Sequence, residues 1–345
     1  MKRLIALIIA LFLLLAAAAL WVVADLRRFA RQATGENATP QVIEVATGEN
    51  FTSLSSRLKQ AGLITSARRF KWLARAKGDD KRLKAGEYVL AANMPPDEML
   101  DILVNGKVLL RRLTIPEGYT LNQIADEIEG LGIAQAAEVK ALASDPVLLN
   151  SVNCPGTNLE GYLFPDTYFF PKGAPVKVVM ENMLHRFNET FTEPWRQRAA
   201  ELHLSVHQIV TLASIIEKET GDPSERPLIA SVFFNRLKKK MRLESDPSVI
   251  YGIENFNGNL TRRDLTTKTP YNTYIIRGLP PGPIANPGRA SLEAALYPAQ
   301  TEYLFFVAKQ DGTHYFSNNI QDHIRAVQKY QLRRKIFSKE QKPWK

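Results

Sequence analysis

The chain has 345 residues, of which 45% are hydrophobic and 23% are charged, and this balance excludes a chain that is disordered throughout. Its mean hydropathy of -0.19 excludes a protein that crosses a membrane many times. The formal net charge of +10 favours an anionic partner such as a nucleic acid, a membrane surface or an acidic polymer; because no nucleic-acid-binding motif accompanies it, no nucleic acid is expected.

An uncharged segment near the N-terminus, Leu4 to Ala24, is 21 residues long and follows the basic pair Lys2 and Arg3. As a helix it would measure about 31 Å, close to the thickness of the hydrocarbon layer of a membrane. A cleavable signal peptide is the alternative, but cleavage at the small residues 16–19 would leave an apolar end, so an uncleaved anchor in contact with membrane lipid is favoured. Basic residues flank the segment on both sides, and the positive-inside rule therefore leaves its orientation open.

Residues 25–40 are polar and without periodicity, which predicts a tether between the membrane and the first domain. A small α+β unit is predicted for residues 41–107, in the order strand, helix, helix, strand, helix. The strands are predicted at 41–46 and 86–90, and the helices at 52–61, 68–76 and 98–105. The order of the first four elements resembles a LysM-type glycan-binding module, although a small α+β spacer domain would have the same order.

A second strand and helix, at 108–115 and 121–131, form a predicted connecting unit over residues 108–150. The remaining residues, 151–345, are predicted to form a larger mixed α/β domain. Its helices are predicted at 175–189, 193–201, 208–219, 229–240 and 319–333, and its buried strand, 303–308, is expected to pair near Tyr315 and Phe316. Residues 246–298 are rich in Pro, Gly, Asn and Tyr, which predicts ordered loops.

The strongest chemical signal is the apolar segment 209–216, which is followed by Glu217, Lys218 and Glu219. A helix that is apolar on nearly all sides is buried, so a carboxyl group in its last turn is expected to be partly desolvated. Desolvation and the C-terminal end of the helix dipole both raise a carboxyl pKa. A carboxyl group that is protonated near neutral pH is what protonation of a glycosidic oxygen requires, although the two glutamates would equally mark the solvent-exposed end of a core helix.

The two glutamates lie on different faces of this predicted helix. Glu217 shares its face with small residues, Val210, Ala213 and Ser214, whereas Glu219 shares its face with Leu212, Ile215 and Ile216. A substrate approaches a carboxylate more easily over small side chains than over branched ones, which favours Glu217 as the catalytic acid. Glu219 is then expected to brace the end of the helix or to pair with a basic neighbour.

Other chemistries lack the residues that they need. His203 and His207 have the spacing of two zinc ligands on one helix face, but Leu204 follows His203, so the glutamate of an HExxH motif is missing. The sequence contains no nucleophile elbow, phosphate-binding loop or dinucleotide-binding motif, and nothing marks Cys154, the single cysteine, as a nucleophile. No metal and no organic cofactor are therefore expected.

Five sequence motifs between residues 159 and 284 occur in the order that is typical of one known family. With them the chain resembles the YceG-like family over most of its length, the anchor and the LysM-like segment included. The motifs are LEGYLFPDTY at 159–168, ASIIEKET at 213–220, SVFFNRL at 231–237, MRLESDP at 241–247, and YNTY at 271–274 with GLPPGPI at 278–284.

The resemblance implies an α+β protein with a single N-terminal transmembrane helix, a small LysM-like module and a mixed α/β catalytic domain over 151–345. It places the chain in the inner membrane, with its N-terminus in the cytoplasm and its body in the periplasm. The implied activity is that of a lytic transglycosylase, which cleaves the β-1,4 bond between N-acetylmuramic acid and N-acetylglucosamine of nascent peptidoglycan without water and leaves a 1,6-anhydro end. Cell-wall synthases, the penicillin-binding proteins, are the implied protein partners.

One carboxyl group suffices for this reaction, and Glu217 would first protonate the leaving oxygen and then accept the proton of the muramoyl C6 hydroxyl. The family motifs supply a set of possible sugar-binding residues, whose amides, carboxylates and hydroxyls can form hydrogen bonds and whose rings can stack on a sugar. These residues are Glu160, Asn235, Asp246, Tyr251, Tyr271, Asn272 and Tyr274. Each would also suit a structural role, as Asp246 would as the N-cap of a helix.

Two other functions are compatible with the same residues. A hydrolytic muramidase would need a second carboxyl group about 5 to 10 Å from the first, and Glu160, Glu219 and Asp246 are candidates for it. A non-catalytic glycan-binding scaffold would keep its function without Glu217.

Overall fold

The computed structural model describes residues 2–36, 39–219 and 221–332, and it has the mixed α+β composition expected from the sequence. The α-helices, in chain order, are α1 (Lys2–Arg31), α2 (Phe51–Gln60), α3 (Ala67–Lys77), α4 (Pro96–Asn105), α5 (Leu121–Gly130), α6 (Ala136–Leu142), α7 (Pro146–Ser151), α8 (Val176–Thr190), α9 (Glu193–Glu201), α10 (Val206–Glu219), α11 (Arg226–Lys238), α12 (Asp246–Tyr251), α13 (Arg262–Thr266), α14 (Arg289–Leu296) and α15 (Ile320–Val327). The strands are β1 (Gln41–Val45), β2 (Gly86–Leu90), β3 (Leu110–Thr114), β4 (Thr167–Pro171), β5 (Phe305–Ala308) and β6 (His314–Ser317). Within the described residues the strands pair as β1 with β2, β3 with β4, and β5 with β6.

The described chain divides into two compact units. The first unit contains the residues up to Arg111 together with Phe169–Lys172, and the second contains Arg112–Tyr168 and the residues from Gly173 onward. Most of the predicted connecting unit therefore lies in the same compact unit as the predicted catalytic domain.

The first helix, α1, is long and apolar enough to cross a membrane, and its apolar stretch has no residue buried against the rest of the described structure. The helix does not end where the apolar stretch ends. It continues to Arg31, and Phe29 and Ala30 are buried in the core of the first unit. The predicted tether over residues 25–40 is therefore wrong for residues 25–31, because Leu26, Phe29 and Ala30 form an apolar helical face that packs on this core.

The remainder of the first unit has the predicted order of strand, helix, helix and strand. β1 and β2 are antiparallel, with Gln41 opposite Leu90 and Val45 opposite Gly86. Asn50 starts α2 by accepting hydrogen bonds from the backbone N–H groups of Thr52 and Ser53, as a helix N-cap does. The order of these elements is confirmed, and the core between them is formed by large side chains that include Phe51, Leu54, Leu58, Phe70 and Tyr88.

The second unit is built around α10, whose residues Ile209 to Ile216 are all buried. α14, α11, α9 and α12 pack against it. The loop prediction for residues 246–298 is wrong in part, because this segment contains α12, α13 and the largely buried α14. The apolar spacing of Leu292 and Leu296 in α14 was obscured by the glycines and prolines that precede the helix.

The C-terminal part of the second unit has the predicted strand and helix, but the prediction of a buried strand is wrong, because Val307 is the only buried residue of β5. β5 and β6 form an antiparallel pair in which Phe306 lies opposite Phe316 and Val307 opposite Tyr315. Asn319 is the N-cap of α15, which passes into a π-helical turn at Gln328–Leu332. The predicted end of this helix at Arg333 lies outside the described residues.

Candidate active site

Glu217, the predicted catalytic acid, has both carboxylate oxygens engaged inside the protein. Arg226 donates from Nη2 to Oε1 at 3.1 Å, and the backbone N–H of Gly288 donates to Oε2 at 2.9 Å. The side chains of Glu217 and Arg226 are only 6% and 9% exposed. Arg226 is itself held by Ser291, whose Oγ accepts from Nε at 3.0 Å. Glu217 therefore joins the end of α10 to the starts of α11 and α14.

Glu117 is a second carboxylate near Arg226, and no sequence motif predicts that it lies there. Its Oε2 lies 3.9 Å from Arg226 Nη2, and its side chain is about half exposed, at 49%. Burial and the negative charge of Glu217 raise the pKa of Glu117, while Arg226 opposes the rise. Glu117 lies in the short connection between β3 and α5, and only the tertiary fold brings this connection beside α10.

The face of α10 that carries Glu217 is covered. Val210, Ala213 and Ser214 are fully buried, and Ser214 Oγ accepts a hydrogen bond from the backbone N–H of Ile284 at 3.0 Å. Gly161 packs so closely that a Cβ atom on it would lie 2.9 Å from Val210 Cγ1. The expectation that small side chains leave this face open to substrate is therefore wrong, because small residues here allow backbone segments to pack on the helix.

Glu219 has a different environment and lines an open cavity of about 430 Å³. Its Oε1 accepts a hydrogen bond from Ser245 Oγ at 2.5 Å. Burial raises the pKa of Glu219 to about 7, the negative charge of Asp246 adds to the rise, and the Ser245 hydrogen bond and Arg236 oppose it. Glu219 thus combines the raised pKa that was expected of an acid with access to a cavity.

Asp246 and Tyr274 line the same cavity as Glu219. The hydroxyl of Tyr274 donates to Asp246 Oδ1 at 2.7 Å. Asp246 is the first residue of α12 and is exposed, while the N-cap position belongs to Ser245. The N-cap alternative for Asp246 is therefore wrong, and its carboxylate lies at the cavity together with Glu219.

Glu160 is buried, and both of its carboxylate oxygens accept hydrogen bonds from donors within the protein. The backbone N–H of Leu121, the first residue of α5, lies 2.9 and 3.1 Å from its two oxygens. Asn286 Nδ2 donates to Oε1 at 3.0 Å, and the hydroxyl of Tyr251 donates to Oε2 at 3.1 Å. Burial raises the pKa of Glu160 to about 7, and these donors oppose the rise. Such a carboxyl group fastens α5 and α12 to the rest of the second unit.

Tyr251 and Tyr271 pack together at the other end of α12. Their ring centroids are 4.8 Å apart in an edge-to-face arrangement. Tyr251 also lines a second cavity of about 660 Å³, to which Lys218 and Ile250 contribute. One face of Tyr251 is thus available at a cavity, while its hydroxyl is held by Glu160.

Asn235 and Asn272, two of the predicted sugar-binding residues, use their amide nitrogens within the protein. Asn235 Nδ2 donates to the carbonyl oxygens of Thr301 and Tyr303, at 2.8 and 3.0 Å. Asn272 is fully buried, and its Nδ2 donates to three carbonyl oxygens, those of Asp264, Leu265 and Thr267. Its Oδ1 accepts from the backbone N–H of Tyr274. Both residues order loops, and the structure does not bring them into the Glu219 cavity.

The two histidines considered as zinc ligands do not share a helix face, because His207 lies in α10 whereas His203 precedes the helix and has a φ of +56°. His207 Nδ1 lies 2.9 Å from the hydroxyl of Tyr162, and Nε2 lies 3.0 Å from the carbonyl oxygen of Pro281. Across the described ranges, no group of three or more His, Cys, Asp or Glu residues has the arrangement of a metal site.

Comparison with known proteins gives consistent matches over most of the chain. The sequence model of the YceG-like family matches residues 43–329. A Bacillus subtilis (strain 168) protein named "Endolytic murein transglycosylase" is 34% identical over 323 residues, which cover 89% of this chain and 88% of that protein. A protein of the same name from Streptococcus pneumoniae (strain D39) is 32% identical over 317 residues, and the match covers 83% of this chain and 57% of the relative.

A solved structure is also similar. It is the crystal structure of a yceG-like protein from Listeria monocytogenes, which has 36% sequence identity and a TM-score of 0.58. The match covers 83% of this chain and 98% of that structure.

Proposed function

The chain belongs to the YceG-like family, and on this premise we propose that it is an endolytic lytic transglycosylase acting on peptidoglycan. The observation that carries the proposal is its similarity, over 89% of its length, to a relative named for that activity. The bond cleaved is the β-1,4 bond between N-acetylmuramic acid and N-acetylglucosamine of nascent strands, and the product carries a 1,6-anhydro-muramoyl end. Cleavage within a strand ends its elongation.

Glu219 is the catalytic acid of this proposal. It lines a cavity, and its pKa of about 7 means that a large share of the carboxyl groups is protonated near neutral pH. The protonated carboxyl donates its proton to the glycosidic oxygen as the bond from this oxygen to C1 breaks. The resulting carboxylate then accepts the proton of the muramoyl C6 hydroxyl as that oxygen bonds to C1. The carboxyl group thus donates one proton and accepts one proton, and no water molecule is consumed.

Asp246 and Tyr274 support the reaction from the wall of the same cavity. Positive charge develops at C1 as the glycosidic bond breaks, and a nearby carboxylate stabilises that charge. Asp246 supplies the carboxylate, and the hydrogen bond from Tyr274 fixes its orientation. Tyr251, which lines the second cavity and packs edge-to-face against Tyr271, suits stacking against a sugar ring.

Glu217 was favoured by sequence and remains the alternative acid. The ion pair with Arg226 and the hydrogen bond from Gly288 support a positioning role instead, because a proton donor to substrate needs an oxygen that the substrate can reach. In this role Glu217 holds the end of α10, and with it Glu219, in place.

Two variants, assayed on uncrosslinked glycan strands, distinguish Glu219 from Glu217 as the catalytic acid. Glu219→Gln removes the proton donor and is expected to lower kcat by at least about 100-fold. Glu217→Gln is expected to keep cleavage within a few-fold while lowering the free energy of unfolding by about 1 to 3 kcal/mol, because Arg226 loses its charged acceptor. Rates are compared per folded protein, as measured by circular dichroism. If Glu217→Gln is inactive while folded and Glu219→Gln is active, Glu217 is the acid.

A hydrolytic muramidase is the second candidate, and one observation favours it: Asp246 puts a second carboxylate in the Glu219 cavity. Such an enzyme would use water and leave reducing muramic acid ends. A non-catalytic glycan-binding scaffold, the third possibility, would leave strands uncut and would be insensitive to Glu219→Gln.

We also propose where in the cell the protein acts. α1 anchors it in the inner membrane with the N-terminus in the cytoplasm, and both compact units act in the periplasm on strands made by penicillin-binding proteins. The order of strand, helix, helix and strand in residues 41–107 supports a LysM-like module that holds glycan. Residues 151–345, with the preceding residues from Arg112, form the catalytic domain.

A further inference from the structure

The end of α1 is fixed to the first compact unit, just beyond the apolar stretch that would cross the membrane. The apolar stretch ends at Ala24, and the helix continues without a break until Phe29 and Ala30 enter the core of the unit. A helix rises about 1.5 Å per residue, and the headgroup layer extends about 5 to 7 Å beyond the hydrocarbon on each side. With Ala24 at the edge of the hydrocarbon, Asp25 to Arg28 therefore lie in the headgroup layer.

α3 lies beside this part of α1. Arg69, near the start of α3, pairs with Asp25 through Nε and Oδ2 at 2.9 Å. One face of α3 is buried through Phe70, Leu73 and Ala74. Because Asp25 is the first residue beyond the apolar stretch, this ion pair puts the N-terminal turn of α3 at the same depth as the headgroups.

The rest of α3 has the composition of a helix that lies on a membrane surface. It contains five cationic residues and no acidic residue. The cationic residues are Arg68, Arg69, Lys71, Arg75 and Lys77. Trp72 is 41% exposed, and the Arg68 guanidinium lies 5.1 Å from the centroid of its ring. Tryptophan and basic residues together are typical of the boundary between lipid and water.

A cavity of about 460 Å³ opens between the end of α1 and the start of α3. Its lining includes two guanidinium groups, Arg28 and Arg69, and the polar side chains of Gln32 and Thr65. Asp25 also lines it and offsets one of the two charges through its ion pair. The remaining positive charge and the planar donors of the arginines suit a phosphate group.

We propose that the cavity between α1 and α3 binds the phosphate of an anionic phospholipid headgroup, and that α3 lies in the headgroup layer with Arg68, Lys71 and Trp72 against the lipid. The other basic residues of α3 form ion pairs within the protein: Arg69 with Asp25, Arg75 with Asp80, and Lys77 with Asp97 and Asp101. The site would hold the first unit at a fixed height and orientation on the membrane. This inference rests on the proposed anchoring through α1, and the experiment tests the two separately.

The test of depth uses the full chain in nanodiscs made from an equal mixture of phosphatidylglycerol and phosphatidylcholine. Two chains each keep one membrane-proximal tryptophan: one carries Trp21→Phe and keeps Trp72, and the other carries Trp72→Phe and keeps Trp21. Both also carry Trp195→Phe and Trp344→Phe, and thermal melting confirms that they fold. Nitroxide-labelled lipids quench tryptophan fluorescence at the depth of the label.

Trp72 is expected to be quenched by a label on the headgroup and much less by a label at the end of the acyl chain. Trp21, which lies within the apolar stretch, is expected to be quenched by a label in the upper acyl chain. Quenching of Trp21 without quenching of Trp72 would overturn the inference and leave the anchoring intact. Absence of quenching at both positions would overturn the anchoring and the inference together, without bearing on cleavage by Glu219.

The headgroup site is tested by intact-mass spectrometry of the detergent-solubilised full chain with added phosphatidylglycerol. One bound phosphatidylglycerol is expected, and the Arg28→Gln/Arg69→Gln double variant is expected to weaken its binding about 25-fold, at about fivefold per charge removed. Lys59→Gln removes one positive charge from α2, outside the cavity, and is expected to bind phosphatidylglycerol as the unaltered chain does, whereas Arg28→Gln alone, also one charge, is expected to weaken binding about fivefold. Equal binding by the double variant and the unaltered chain would show that the cavity is not the lipid site.

Discussion

Two glutamates, two residues apart at the end of α10, have contrasting surroundings. Glu217 is held by Arg226 and the Gly288 N–H, whereas Glu219 has one hydroxyl partner and faces a cavity. The sequence predicts a catalytic acid at this helix end and favours Glu217; the structure covers the helix face that carries Glu217, and we propose Glu219 instead. Whether a helix face is open depends on which distant segments cover it, and no local pattern contains that information.

The pKa of Glu219 predicts how activity depends on pH. The acid form is needed for the first step, and it is lost as the pH rises through about 7. We therefore expect kcat/KM to be high below about 7 and to fall about tenfold per pH unit above it. Asp246→Asn removes a negative charge that raises this pKa, so the fall is expected to begin at a lower pH in this variant.

The measurement is kcat/KM for soluble, uncrosslinked glycan strands across the pH range in which the protein stays folded. A fall at the same pH in Asp246→Asn and the unaltered chain would mean that Asp246 does not act on the titrating group. No fall above about 7 in the unaltered chain would exclude Glu219 as the acid.

At the scale of elements, Glu160 joins α5 and α12 by accepting hydrogen bonds on both oxygens. Glu160→Gln replaces one acceptor with an NH₂ donor that faces donors. We expect it to lower the free energy of unfolding by about 1 to 3 kcal/mol, as measured by urea denaturation. Glu138→Gln, an exposed change on α6, is the control and is expected to have little effect. Equal stability of the two variants would show that Glu160 does not fasten these helices.

Substitution of Gly161 tests how closely the chain segment around this residue packs on α10. The φ of Gly161 is +88°, and a Cβ atom on it would lie 2.5 Å from Pro283 and 2.9 Å from Val210. Gly173 also has a positive φ, +67°, but a Cβ atom there would meet nothing within 4 Å. Both alanine variants carry the cost of a left-handed backbone, so the overlap is expected to make Gly161→Ala less stable than Gly173→Ala by about 1 to 3 kcal/mol.

The free energies of unfolding of the two alanine variants, measured by denaturant titration, decide this point. If Gly161→Ala and Gly173→Ala lower the free energy of unfolding equally, the segment around Gly161 can move away from α10. The face that carries Glu217 would then be accessible after all, and the sequence-based choice of Glu217 would regain its support.

At the scale of the whole molecule, local patterns predicted the elements much better than the site. Residues 86–90 and 193–201 were placed at their observed bounds, because alternation and helical spacing are properties of short segments. The partners of Glu217 come from residues 226 and 288, and those of Glu160 from residues 121, 251 and 286. Such pairs are set by tertiary packing. The extension of α1 into the first unit was missed for a related reason, since the apolar face of residues 26–30 is too short to stand out in the sequence.

Whether water enters the product distinguishes the proposed lytic transglycosylase from a hydrolase most directly. Cleavage of uncrosslinked glycan strands in water enriched in oxygen-18, followed by mass spectrometry, distinguishes lytic transglycosylation from hydrolysis. We expect muramic acid ends that are lighter than reducing ends by one water molecule and carry no heavy oxygen, and we expect Glu219→Gln to abolish them. Reducing ends that contain oxygen-18 would contradict the proposal, and would instead favour a hydrolase in which Glu219 and Asp246 act together.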